Sequence, residues 1–104
     1  MNNLEPKELE EIGLTAYRSG QYDEAVAALK PLSKRSPSAW NCRLYLGMAY
    51  TKLGQIPSAI LEFRDISEWC PDKELREKAT SALRAMNQIS HGRMDSLSKH
   101  KESH

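Results

Sequence analysis

The stretch Leu46–Pro71, LGMAYTKLGQIPSAILEFRDISEWCP, decides the fold when it is laid against Ile12–Pro37, IGLTAYRSGQYDEAVAALKPLSKRSP. The offset is 34 residues, and it pairs Gly13 with Gly47, Gly20 with Gly54, Gln21 with Gln55, Ala25 with Ala59, Ser33 with Ser67 and Pro37 with Pro71. Apolar positions coincide as well: Ile12 with Leu46, Leu14 with Met48, Tyr22 with Ile56, Val26 with Ile60, Leu29 with Phe63 and Leu32 with Ile66. Four of the five glycines and two of the five prolines fall into matched pairs, so the chain contains an internal repeat.

Within each copy the apolar spacing is helical. Leu9, Ile12, Gly13 and Ala16 share one stripe, as do Leu46, Gly47 and Tyr50. Gly20 and Gly54 follow these stripes at the place where a helix C-terminus favours a left-handed residue. The periodicity then resumes through Tyr22, Ala25, Val26, Leu29 and Leu32, and through Ile56, Ala59, Ile60, Phe63 and Ile66. Pro57 suits a first helical turn, whereas Pro31 lies inside a helix and is expected to bend it. The reading is two helices of three to four turns, joined by a short turn, twice over. Gly13 and Gly47 each cost about 1 kcal/mol relative to alanine in mid-helix, so a close helix approach is expected there, with Ala25 and Ala59 as the opposing surfaces.

This pattern resembles the tetratricopeptide repeat. The second copy carries it best, in Leu46-Gly47-x-Ala49-Tyr50, Gly54, Ala59, Phe63 and Pro71. The first has Ala16 where the aromatic is expected, and Leu9 and Arg43 stand where the family places tryptophan. The resemblance covers roughly 6–71 and implies an all-α, right-handed solenoid of two helix-turn-helix hairpins, about 6–37 and 38–71. Residues 72–89 read as a capping helix with Asp72 as N-cap and an apolar stripe of Leu75, Ala79, Ala82, Leu83 and Met86. Trp69 and Ile66 are expected beneath it. The domain so defined is 1–89, and 90–104 reads as a flexible tail.

Composition narrows the function. At 104 residues the chain suits one small domain. Fifteen basic against fourteen acidic residues leave a net charge of +1, against the basic excess that phosphate backbones require. No apolar run is long enough to span a bilayer, and the start lacks the pattern of a secretory signal. Cys42 and Cys70 lack partners at metal-ligand spacing and read as reduced thiols in a cytoplasmic protein, although a bridge between them stays open.

No catalytic constellation is expected. His91, His100 and His104 all fall in the tail, where His100 and His104 have i, i+4 spacing but no supporting shell for a metal. Glu8, Glu10 and Glu11 complement the start of a helix. No phosphate-binding glycine pattern is present. The chain therefore reads as a non-enzyme without metal or cofactor.

The resemblance implies instead a concave groove, lined by the first helix of each unit, that holds a partner protein or peptide. It would present Lys7, Glu10, Leu14, Tyr17 and Arg18, then Asn41, Leu44, Tyr45, Met48, Thr51 and Lys52. Its centre is the apolar stripe Leu14, Tyr17, Leu44 and Met48, suited to an extended or helical apolar segment. The carboxylate clamp of relatives that bind chaperone tails is not expected, because its places hold Glu10, Leu14 and Tyr45. Three rivals stand beside this reading: the stripe covered by the tail or the fifth helix, self-assembly through the open ends, and a metal or redox sensor using Cys42, Cys70 and the histidines.

Overall fold

The computed structural model describes the backbone of residues 4–102 and the side chains of residues 4–87. Five helices follow one another: α1 (Pro6–Arg18), α2 (Tyr22–Arg35), α3 (Trp40–Lys52), α4 (Ile56–Trp69) and α5 (Lys73–Glu102). The described residues contain no strand. Both boundaries of α3 and of α4 lie 34 residues beyond those of α1 and α2, so the repeat in sequence is a repeat in structure.

The two inner turns are built alike. Gly20 and Gly54 have φ of 80° and 79°, a region that L side chains rarely enter. At the first turn the Gly20 N–H donates to the Tyr17 carbonyl at 3.0 Å and the Gln21 N–H to the Ala16 carbonyl at 2.8 Å. At the second, Gly54 donates to Thr51 at 3.0 Å and Gln55 to Tyr50 at 2.8 Å. This crossed pair satisfies the orphan carbonyls of the helix end and reverses the chain, so that each helix packs on the next. At the other ends, Glu8 accepts the Glu5 N–H at 2.9 Å, and the Asp72 carboxylate accepts the N–H groups of Glu74 and Leu75 at 2.9 and 3.2 Å. Asp72 is thus the N-cap read from the sequence.

The mid-helix glycines have a different partner from the expected alanines. A Cβ on Gly13 would lie 2.5 Å from Cγ and Cδ2 of Leu29, and one on Gly47 would lie 2.8 Å from Cε1 of Phe63. Leu29 and Phe63, themselves a repeat pair, insert into the two sockets. Ala25 and Ala59 are also fully buried, one turn away, and keep the backbones close. The core continues through Leu32, Leu46, Ala49, Ile66 and Ala79.

Three further expectations meet the structure. α2 is helical through Pro31 to Arg35, and both Pro31 and Ala27, whose carbonyl loses its donor to the proline, are exposed to water. Trp69 is 70% exposed rather than packed beneath α5. It lies about a quarter turn off the buried stripe of Ala59, Phe63, Ile66 and Cys70, which α5 covers. The fifth helix, expected over 72–89, is α5 with helical backbone to Glu102, while His104 and the side chains of His91 and His100 lie outside the described residues.

Arg43, at an inward position of the stripe, makes the most connected polar cluster among the described residues. Its Nε donates to Glu62 at 2.9 Å, its Nη2 to Asp65 at 2.6 Å and its Nη1 to the Pro37 carbonyl at 3.0 Å. The guanidinium also lies 5.2 Å from the Trp40 ring centroid. Burial works against its charge, but the hydrogen bonds to the two carboxylates prevail and hold its pKa above the ordinary value. A strong donor fork thus ties α3 to α4 at the position where α1 uses the apolar Leu9.

Gly13→Ala is expected to destabilise the protein by about 1–3 kcal/mol in urea unfolding, despite alanine's better helix propensity. In a Leu29→Ala background the same change should be neutral or stabilising, because the socket is then empty. Equal cost in both backgrounds would show that Leu29 is not what excludes the methyl group.

Candidate functional site

α1, α3 and α5 lie side by side, with α2 and α4 behind them: α3 touches both α1 and α5, α2 packs between α1 and α3, and α4 between α3 and α5. The front layer carries every residue expected at the groove, but in three different environments. Lys7, Arg18, Asn41 and Lys52 are exposed. Glu10, Leu14, Tyr17, Tyr45, Met48 and Thr51 are half-buried, and Leu44 is buried.

Aromatic packing engages two of these residues. Tyr17 meets Tyr22 edge to face at 5.3 Å and Tyr45 at 5.4 Å, which fixes α1 against α3. Burial, with the neighbouring tyrosines, raises the pKa of Tyr17. Thr51 donates its hydroxyl to the Gly47 carbonyl at 2.9 Å.

The open space lies between α3 and α5. A cleft of about 480 Å³ has Leu44, Met48 and Phe63 on one side and Glu77, Ser81 and Ala82 of α5 on the other, with Glu74 and Lys78 at its end. A second, of about 340 Å³, shares Met48, Phe63 and Ala82 and continues past Tyr17, Thr51 and Lys52 to Ala85 and Met86. The two clefts adjoin through the shared residues. Of the eleven expected groove residues, Tyr17, Leu44, Met48, Thr51 and Lys52 line this space. Lys7, Glu10, Leu14, Arg18, Asn41 and Tyr45 do not line either cleft, because the apolar opening is displaced toward the fifth helix.

That wall of α5 and the Phe63 floor are what sequence reasoning missed. The sequence pattern assigns the stripe on α5 wholly to covering the end of the core. Ala79 and Met86 do bury there, but the small side chains of Ser81, Ala82 and Ala85 leave α5 unable to close over Met48. The signal available was this run of small residues beside the bulky Leu44–Met48 pair.

The polar groups at the clefts are the hydroxyls of Thr51 and Ser81, the carboxylates of Glu74 and Glu77, and the ammonium groups of Lys52 and Lys78. They offer rim contacts to a ligand lying on an apolar floor. Among the described residues no cluster of three or more His, Cys, Asp or Glu could hold a metal, and no helix is long and apolar enough to cross a membrane.

Both cysteines are buried and unbridged. Burial, together with the charge of Glu10 beside it and its hydrogen bonding, pushes the Cys42 thiol up to about 11. Such a thiol is a packing group and a poor nucleophile at neutral pH.

The family model described as tetratricopeptide repeat matches residues 11–68, more than half of the chain. Comparison with curated proteins and with solved structures gives no match.

At pH 8 in a Cys70→Ala variant, Cys42 is expected to react with a disulfide reagent about 100-fold more slowly in the folded protein than in urea. Because the folded-state pKa is raised, the thiol's contribution to stability is fully present below the ordinary thiol pKa. It is lost as pH rises toward 11 and beyond. Glu10→Gln should speed folded-state labelling, and unchanged labelling would separate Glu10 from the thiol.

Proposed function

The chain belongs to the tetratricopeptide repeat family, and we propose that it is a non-catalytic protein-interaction module whose groove between α3 and α5 holds an apolar segment of a partner protein. Repeats of this family generally mediate contacts between proteins, which makes the broad class of function the family's own. In this reading α1–α2 and α3–α4 are two helical hairpins of a short right-handed solenoid, α5 caps its end, and the module works in the cytoplasm as an adaptor, co-chaperone or assembly factor.

The observation that carries the reading is the continuity of the Met48–Phe63–Ala82 floor through both clefts. Apolar surface left in water costs about 25 cal/mol per Å², and a leucine or aromatic side chain of a partner would recover that cost by filling the opening. The floor is rigid because Phe63 is held in the Gly47 socket. Met48 is adaptable, which suits a partner segment of variable shape.

Affinity purification with the intact chain and with a Met48→Glu, Ala82→Glu variant tests this. The expected result is loss of partners in the variant at unchanged helicity by circular dichroism. The same partners retained by both proteins would overturn the groove assignment.

A second reading, self-association through the α1 edge, has its own observation. Ile12 is 46% exposed, whereas its repeat equivalent Leu46 is fully buried against the preceding unit. Sedimentation over a dilution series is expected to give a dimer that Ile12→Glu dissociates if this edge pairs. A monomer at every concentration would remove the second reading and leave the first.

A further inference from the structure

The groove is apolar in the middle and charged at its ends, and the two ends differ in sign. α3 and α5 run alongside each other in the same direction: Leu44 faces the region of Glu74 and Glu77, and Lys52 faces that of Ala85 and Met86. The first end therefore carries two exposed carboxylates. Lys78 is close to Glu74 at 3.9 Å in an exposed contact, so the three charged groups that line this end, Glu74, Glu77 and Lys78, sum to minus one. At the other end Lys52 lines the cleft and is exposed in the last turn of α3.

We propose that this polarity orients the partner: the groove takes an apolar segment with basic residues at one end and acidic residues at the other. The basic end lies at Glu74 and Glu77, and the acidic end at Lys52. This rests on the groove reading given above and adds the chemistry and direction of what occupies it. Each end of the ligand meets its opposite charge in only one of the two directions. The reverse direction places like charges together at both ends, so the discrimination counts twice. Rim pairs of this kind add little affinity because they remain in water, but they select direction and raise the association rate.

Three capped synthetic peptides with the same leucine-rich centre provide the probe. One carries two lysines at one end and two glutamates at the other, one carries lysines at both ends, and one carries glutamates at both. The polarised peptide is expected to bind the intact chain about fivefold more tightly than either of the others at low salt, with the difference shrinking at high salt. A nitroxide on its lysine end should broaden the amide signals near Ser81 more than those near Lys52. Glu74→Lys with Glu77→Lys should weaken this peptide. Adding Lys52→Glu should restore binding and move the broadening to the Lys52 end. Equal affinity for all three peptides, or broadening that stays in place in the fully reversed variant, would overturn the polarity while leaving the groove. Failure of every peptide to bind the intact chain would overturn the groove reading itself.

Discussion

The fold depends on two missing methyl groups. Leu29 and Phe63 occupy the space where side chains on Gly13 and Gly47 would stand, and contacts as short as 2.5 and 2.8 Å from an added Cβ show how little room remains. Because the paired helices approach this closely, the chain reversals between them must be short. Gly20 and Gly54 provide those reversals with left-handed backbone that closes the helix ends by hydrogen bonding. The spacing of the front layer follows from the same constraint. Phe63, once seated against Gly47, reaches through to the floor of the cleft between α3 and α5. One packing contact therefore connects the repeat in the sequence to the continuous apolar opening between α3 and α5.

Arg43 adds a second kind of constraint. Apolar side chains on a helical stripe can slide along one another at modest cost, but a guanidinium held by Glu62, Asp65 and the Pro37 carbonyl has one geometry. Such clusters are weak evidence of net stability, since removing the charge from water offsets much of the attraction. The Asp65 arm is nearly half exposed and screened accordingly. What the cluster does is fix the register of α3 on α4. Arg76 repeats part of the device by donating to the Cys70 carbonyl at 2.8 Å, six residues back, as Arg43 does to Pro37. α5 thus enters the fold as α3 does, which makes its wall and that of α3 comparable surfaces on either side of the cleft.

Much of this was legible because backbone requirements are written in rare residues. Glycine at 20 and 54, glycine at 13 and 47, and the 34-residue offset between them imply helix ends, close approach and duplication without any tertiary information. The N-cap at Asp72 was legible for the same reason. What a glycine faces was not legible, because Ala25 and Leu29 lie on one stripe and only the depth of the crossing decides which reaches the socket. Trp69 misled because a large apolar residue at a helix end satisfies a composition argument whichever way it points. The Arg43 cluster could not be seen either: its acceptors, Glu62 and Asp65, look in sequence like solvated charges. The groove was half read. Its α3 wall followed from the stripe of Leu44 and Met48, whereas its α5 wall depends on how nearly small residues approach a neighbour, which periodicity does not encode.

The division of labour within the groove follows from where each group meets water. Phe63 is already sealed from water, but Met48 and Ala82 are only half-buried and Ala85 is exposed, so a side chain placed on them exchanges their hydrated surface for close packing, and this exchange must supply most of any affinity. The charges at Glu77 and Lys52 stay solvated whether or not a ligand is present. Their energy is therefore small in magnitude but opposite in sign for the two directions of a polar segment. An apolar floor alone would accept a segment in either direction, and charged ends alone would hold none for long. Together they separate the strength of capture from its orientation, and substitutions at the rim and at the floor should act on different properties of the complex.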